Sequence, residues 1–264
     1  MSENSTGMSK PTGSSERFGY EWSHYNEIRA DYETQFRKWT PFLGPDDWKG
    51  ASTLDVGCGT GRNSLWPLKY GAREATAIDV DDGSLAVARH NLAPFPNATV
   101  LKRSAFDIGF EDRFDIAFSI GVIHHLESPE LALKQMVKAA KPGGRVMVWV
   151  YGYENNEWIV RFADPLRKAL FSRLPIGLVH HLSLYPSAVL WLLLRLGVGR
   201  LAYFDLLRTF SFRHIRSIVF DQMLPRIAHY WRRETVQRLM EEAGLKNVQL
   251  EWVNQMSWAA IGTK

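Results

Sequence analysis

The chain has 264 residues, 45% apolar and 12% aromatic, enough for one large domain or a domain with a sizeable insertion. A formal charge of +4 is too small to indicate nucleic acid by itself. A single cysteine, Cys58, excludes an internal disulfide framework and a Cys/His metal cluster, so no metal is expected. The charge is uneven, however. From Arg195 to Arg238 there are nine arginines, no lysine and three acids, which suits an anionic substrate or a membrane surface as well as plain solvation.

Residues 1–17, rich in Ser and Gly, read as a disordered tail rather than a signal peptide. Residues 18–50 read as an N-terminal helical cap carrying Tyr20, Trp22 and Tyr25. A core follows over 51–151, where apolar runs alternate with helical patterns, as in a parallel sheet covered by helices. Strands are expected at Ser52–Val56, Ala75–Val80, Thr99–Lys102, Phe114–Ser119 and Arg145–Tyr151. A helix continues through Leu65–Tyr70, with Pro67 tolerable only in its first turns. Asp82 or Ser84 caps the next helix, which buries Leu85, Ala88 and Leu92. Ser128-Pro129 starts a further helix and Lys141-Pro-Gly-Gly144 stops it.

The rhythm then breaks. Residues 152–230 form a helical, apolar-rich insertion with prolines at 165, 175, 186 and 225, read as a lid. Its most apolar run, Ser187–Val198, is about half the ~20 residues a spanning helix needs, so a cytoplasmic chain with possible surface contact to membranes is expected. Residues 231–264 complete the core with an amphipathic helix at Arg232–Ala243, ended by Gly244, and an antiparallel pair of strands at Val248–Val253 and Ser257–Ile261. The fold class is therefore α/β: a Rossmann-like sheet of seven strands, mostly parallel with an antiparallel last strand, helices on both faces, and a helical insertion after strand five.

Leu54-Asp-Val-Gly-Cys-Gly-Thr-Gly61 lies where the first strand turns into a helix. Its glycines let backbone approach a ligand, and the free amides of the helix start favour a carboxylate. A glycine triplet alone is weak, but its flanks sharpen it. Asp55, two residues before Gly57, suits a cationic group, and the spacing G-x-G-x-G differs from that of dinucleotide loops. Asp79, ending strand two, can accept from both ribose hydroxyls. An amino acid and a ribose without a pyrophosphate point to S-adenosylmethionine.

Together with Phe114–Leu126 and Lys141–Gly144, these segments resemble the ordered motifs of class I S-adenosylmethionine-dependent methyltransferases, and most of all the small-molecule branch that includes ubiquinone and menaquinone methyltransferases. The resemblance covers Ser52–Val150 well and leaves the insertion unexplained. It implies that Gly57, Cys58, Gly59 and Gly61 line the methionine part, that Asp55 approaches its amino group and that Asp79, with Val80 beside it, holds the ribose. It further implies that Ser104, Ala105 and Phe106 flank the adenine and that Ile120 is a cofactor-binding residue; the acid usual at Ser104 is missing, so Asp107, if the loop shifts, or a backbone carbonyl takes its place. His125, Tyr20 and His229 are the candidates on the catalytic side, with His124 ranked below His125. The product would be S-adenosylhomocysteine, and the acceptor a small molecule, lipophilic or anionic. The alternatives are an RNA methyltransferase, a catalytically silent S-adenosylmethionine-binding protein and an NAD-dependent oxidoreductase. No RNA-binding module is visible, which weighs against a nucleic-acid partner.

Overall fold

The computed structural model describes residues 17, 19–20, 31–171, 173–199 and 201–264; residues 1–16 of the tail and the aromatics Trp22 and Tyr25 lie outside the described residues, whereas Arg17 is buried against the insertion. Two helices, α1 (Asp31–Trp39) and α2 (Pro45–Trp48), lead into β1 (Ser52–Val56), α3 (Arg62–Lys69), β2 (Glu74–Asp79), α4 (Asp82–Leu92), β3 (Ala98–Lys102) and β4 (Phe114–Ile120). A tight turn at Ile123–His125, α5 (Pro129–Ala139) and β5 (Ala140–Tyr151) follow. The seven strands form one sheet in the order β3-β2-β1-β4-β5-β7-β6, where β6 is Lys246–Val253 and β7 is Ser257–Thr263. β1 to β5 pair in parallel, while β7 runs antiparallel to both its neighbours. Parallel strands are covered on both faces, which explains why every residue of β1 is buried. One face packs Leu133 and Met136 of α5 with Val236 and Met240 of α11 (Arg233–Glu242); the other packs Phe36, Trp48, Leu65 and Leu85 from α1 to α4.

Local details depart from the sequence reading. The cap of α4 is Asp81, whose carboxylate accepts from Ser84 N at 2.7 Å, because the turn begins one residue earlier than the polar run suggests. Pro67 falls in the second turn of α3. Lys141–Gly144 does not separate helix from strand; it lies inside β5, where Gly143 takes φ +76° and the register with β4 shifts.

Between β5 and α11 the chain is helical. The stretches Ile159–Ala163, Asp164–Leu166 and Arg167–Phe171 run on as one helix of mixed π and α winding, which we call α6. α7 (Ile176–Leu182), α8 (Leu184–Arg195), α9 (Ala202–Arg208) and α10 (Phe212–Met223) complete the segment. Pro186 does not break it: it stands just past the joint of α7 and α8, and although it has no N–H to donate, helical bonding carries on beside it, with Ser187 N donating to Ser183 O at 3.1 Å. Ser183 keeps helical dihedrals between α7 and α8, so the apolar helix spans Ile176 to Arg195, longer than the run read from sequence.

Candidate active site

Parallel strands present their carboxyl ends to one edge, and the ligand crevice of such sheets opens there. A cavity of about 1370 Å³ occupies this edge, walled by the glycine loop on one side and the helical insertion on the other. Gly57, Gly59 and Gly61 take φ of +78°, +53° and +75°, a region closed to most side chains. A Cβ at Gly57 would lie 2.5 Å from Val122 Cγ2, so the loop closes onto the turn after β4 only with glycine there. The amides of Gly57 and Cys58 both donate to Ile78 O at 2.9 Å, locking the loop to β2. Cys58 lines the cavity but its thiol is buried and pushed well up by that burial and by Asp55 and Asp79, so it is no nucleophile.

Asp55 stands behind the loop, 2% exposed and off the cavity wall. Ser64 Oγ donates to its Oδ2 at 2.7 Å, while Oδ1 has no hydrogen-bond partner among the described residues. Burial pushes this carboxyl up to about 7, Ser64 opposes the rise, and Asp79 adds to it. Direct contact with a ligand's amino group, one form of the sequence expectation, gives way to support from below the loop. Gly61 likewise lies off the wall, packed against Leu92 and Ala88.

Asp79 is on the wall. Its Oδ2 accepts from Gly59 N at 2.9 Å, and its Oδ1 accepts from Val80 N at 2.7 Å and Asp81 N at 3.1 Å. Three amides therefore fix the carboxylate and take three of its about four acceptor sites, leaving one on Oδ2 for a ligand hydroxyl. Burial raises its pKa, and the amide bonds pull the other way. Val80, 40% exposed, and Ile120 lie on the same wall. Ser104, Ala105 and Phe106 line the far side, presented by a turn in which Ser104 Oγ accepts from Phe106 N at 3.1 Å. Asp107 closes that turn without reaching the cavity. An amide-rich helix start, a fixed carboxylate and an apolar slot follow one another along the wall, so the residues present fit S-adenosylmethionine. Once bound, that cofactor supplies a methyl group on a sulfonium.

On the acceptor side His125 reaches the cavity. Its Nδ1 lies 2.8 Å from Ile227 O, so this nitrogen carries the proton in the neutral ring. Burial lowers its pKa to about 4, which this bond opposes, and Arg167 and His229 lower it further. His124 is fully buried against Tyr151, with ring centroids 3.9 Å apart and no hydrogen-bond partner for either ring nitrogen among the described residues. The other two catalytic candidates are elsewhere. Tyr20 packs edge-on to Phe220 and His180 in the insertion's own core. His229 stacks on Trp231 at 5.6 Å, and its backbone N donates to His124 O at 2.8 Å, tying the end of the insertion to the turn after β4. Neither lines the cavity.

Sequence reasoning missed a polar cluster. Tyr151, at the end of β5, donates from its hydroxyl to Asp221 Oδ2 at 3.1 Å and accepts from Gln222 Nε2 at 2.8 Å. Tyr230 Oη donates to Gln222 Oε1 at 3.3 Å, and its ring stacks on Tyr151. Burial, then Asp221, pushes the Tyr151 phenol well up, so it stays protonated. Arg167, 3% exposed, also reaches the cavity; it pairs with Asp164, and its Nε has no partner among the described residues. Within the insertion much of the wall is apolar, with Phe171, Leu190, Phe204, Leu207, Phe210 and Ile218. The detectable signal was position: Tyr151 ends a central strand on the crevice edge.

Comparison with known proteins agrees with this geometry. The methyltransferase-domain family matches residues 54–148. A tRNA U34 carboxymethyltransferase of Idiomarina loihiensis is 32% identical over 139 residues, which cover 51% of this chain and 42% of that protein. A methyltransferase-named protein of Encephalitozoon cuniculi is 31% identical over 153 residues, covering 55% of this chain and 67% of the relative. Thus the chain spans less than half the length of the first relative and two thirds of the second. Among solved structures, magnesium protoporphyrin IX methyltransferase of Synechocystis with bound S-adenosylhomocysteine superposes with a TM-score of 0.56 at 12% identity, covering 94% of this chain and 93% of that one. With the sheet order, the glycine loop and Asp79 in place, the chain belongs to the class I S-adenosylmethionine-dependent methyltransferases.

Proposed function

We propose that the enzyme methylates a small acceptor with a lipophilic body and a polar, acidic head, and that residues 152–230 serve as its lid. The observation that carries this reading is the continuous cavity, which runs from the glycine loop past the Tyr151–Asp221–Gln222–Tyr230 cluster into an apolar chamber of the insertion. Its 1370 Å³ exceeds the ~300–1,000 Å³ common for one ligand, so cofactor and acceptor fit side by side. The apolar chamber suits the acceptor's body, and Arg167 suits an anionic head.

Methyl transfer is an in-line displacement, so holding the acceptor atom against the sulfonium and excluding water supply much of the rate. Tyr151, kept protonated, orients the acceptor by donation, and Asp221 receives the acceptor's proton when the attacking atom carries one. His125 holds the lid through Ile227 and is a poor base, because an imidazole near 4 gives up its proton too readily.

The test is incubation of the purified protein with labelled S-adenosylmethionine and two acceptor pools, a detergent-dispersed lipid extract and total tRNA. Label is expected in the lipid pool, in a product heavier by one methylene. Label in tRNA instead would overturn the proposal and favour the activity carried in the name of the Idiomarina relative.

A further inference from the structure

The helix from Ile176 to Arg195 has two unlike faces. Val179, Ser183, Ser187 and Leu194 are buried towards α10, where Arg216 Nη2 donates to His180 O at 2.7 Å and Ser187 Oγ donates to Ser183 O at 2.6 Å. Leu178, Tyr185, Val189, Leu192 and Leu196 recur at intervals of seven, four, three and four residues, one stripe on the opposite side. These five are exposed, Leu196 by 69% and Tyr185 by 61%. Among the described residues nothing covers this apolar stripe, and an exposed apolar face of this length marks a docking surface.

Charge selects which one. From Pro165 to Phe204, forty consecutive residues contain no Asp or Glu and five Arg or Lys. At the amino end of the helix a second cavity of about 740 Å³ is lined by Arg17, Lys168, Arg173 and Arg226 together with Leu174, Pro175 and Ile176. Arg17 is held there by donation to Phe171 O at 2.8 Å and Leu174 O at 3.2 Å; Lys168 pairs with Asp164 at 2.7 Å. At the carboxyl end Arg195 lies over the Trp191 ring. A second copy of the chain would bring like charges together along this face, and nucleic acid would leave the leucines in water. Apolar residues flanked by cations match an interface of acyl chains and anionic headgroups.

We infer that the exposed stripe of α7 and α8 docks on an anionic lipid bilayer, with the helix lying in the headgroup plane. By length and composition the helix would reach across a membrane. Its packed partner argues for lying flat: α10, carrying Arg213 and Arg216, runs against it and cannot enter hydrocarbon. Pro186 and Leu190 on α8 also line the main cavity, so docking sets that wall beside the lipid phase. The inference draws its purpose, but not its observations, from the lipophilic-acceptor reading.

Flotation of the full chain with vesicles tests it. Binding is expected to vesicles of phosphatidylcholine with phosphatidylglycerol, to be weak with phosphatidylcholine alone, and to fall as salt rises. Val189→Glu with Leu192→Glu should lower vesicle affinity at least tenfold, and Arg173→Glu should lower it by a smaller factor that salt abolishes. Cofactor affinity and the thermal transition, measured on the same preparations, should stay unchanged, since none of these side chains meets the cofactor wall. Equal binding by the double variant, or no flotation of the parent chain, overturns the inference. So does a dimer by light scattering that the same substitutions dissociate without lipid. Methylation of a detergent-dispersed lipid in the absence of flotation would refute docking alone; flotation without such methylation would refute the acceptor reading alone.

Discussion

Replacing Asp55 by Asn should change how stability depends on pH. Burial lifts this carboxyl to about 7 in the folded chain, against about 3.9 when unfolded. The folded state therefore binds the proton more tightly, and between pH about 4 and about 7 it holds protons that the unfolded state has released. Stability from this group is fully present below the lower value and is lost as pH rises through the upper one. Three pKa units correspond to about 4 kcal/mol, an upper bound on what Asp55→Asn recovers above pH 7. At about 2–4 °C per kcal/mol for domains approaching this size, a Tm advantage of several degrees should emerge with rising pH and vanish near pH 4. Ser64→Ala, which removes the bond opposing the rise, should push the transition to higher pH. Differential scanning fluorimetry of the apo protein across this range is the assay. A Tm difference between parent and Asp55→Asn that does not vary with pH would refute the reasoning.

Asp79→Ala should weaken S-adenosylmethionine binding by about 1–3 kcal/mol, read by calorimetry, because the ribose loses a charged acceptor and Gly59 N loses its partner. Unchanged affinity would mean the ribose lies elsewhere. Tyr151→Phe should leave cofactor affinity intact and lower kcat/KM for the acceptor about ten- to a hundredfold, the value of one hydrogen bond in a charged network; a change in cofactor affinity instead would place the network on the wrong ligand. His125→Gln should cost stability, about 1–3 kcal/mol if the bond to Ile227 is lost entirely, and change turnover by only a few-fold. A drop of about 10²–10⁴-fold with stability intact would make His125 the base.

The sheet was legible because its signals are local. β1, β2 and β4 are short, mostly buried apolar runs each followed by a turn, and Asp55, Gly57–Gly61 and Asp79 lie at strand ends that a parallel order brings to one edge. Asp55 shows the limit of such reading: a strand-end acid is visible in sequence, but whether it faces the crevice or the core depends on how the loop above it closes. The insertion resisted for a different reason. Its apolar residues serve three surfaces at once, the cavity wall at Leu190, the contact with α10 at Leu194 and the outer stripe at Leu192, so no single period separates them. Tyr20 and His229 were reasonable by residue type, yet Tyr20 packs on Phe220 and His229 ties the end of the insertion to the turn after β4. Tyr151 and Gln222, seventy-one residues apart, meet only after the insertion folds back over β5.

The central claim is a geometry: methyl donor at the glycine loop, acceptor at the Tyr151 cluster. A crystal structure with S-adenosylhomocysteine tests it most directly. The ribose is expected on Asp79, the homocysteine against Gly57–Gly61, and the sulfur turned towards Tyr151 and Asp221. A sulfur facing away from the insertion, or a nucleoside bound off Asp79, would contradict it.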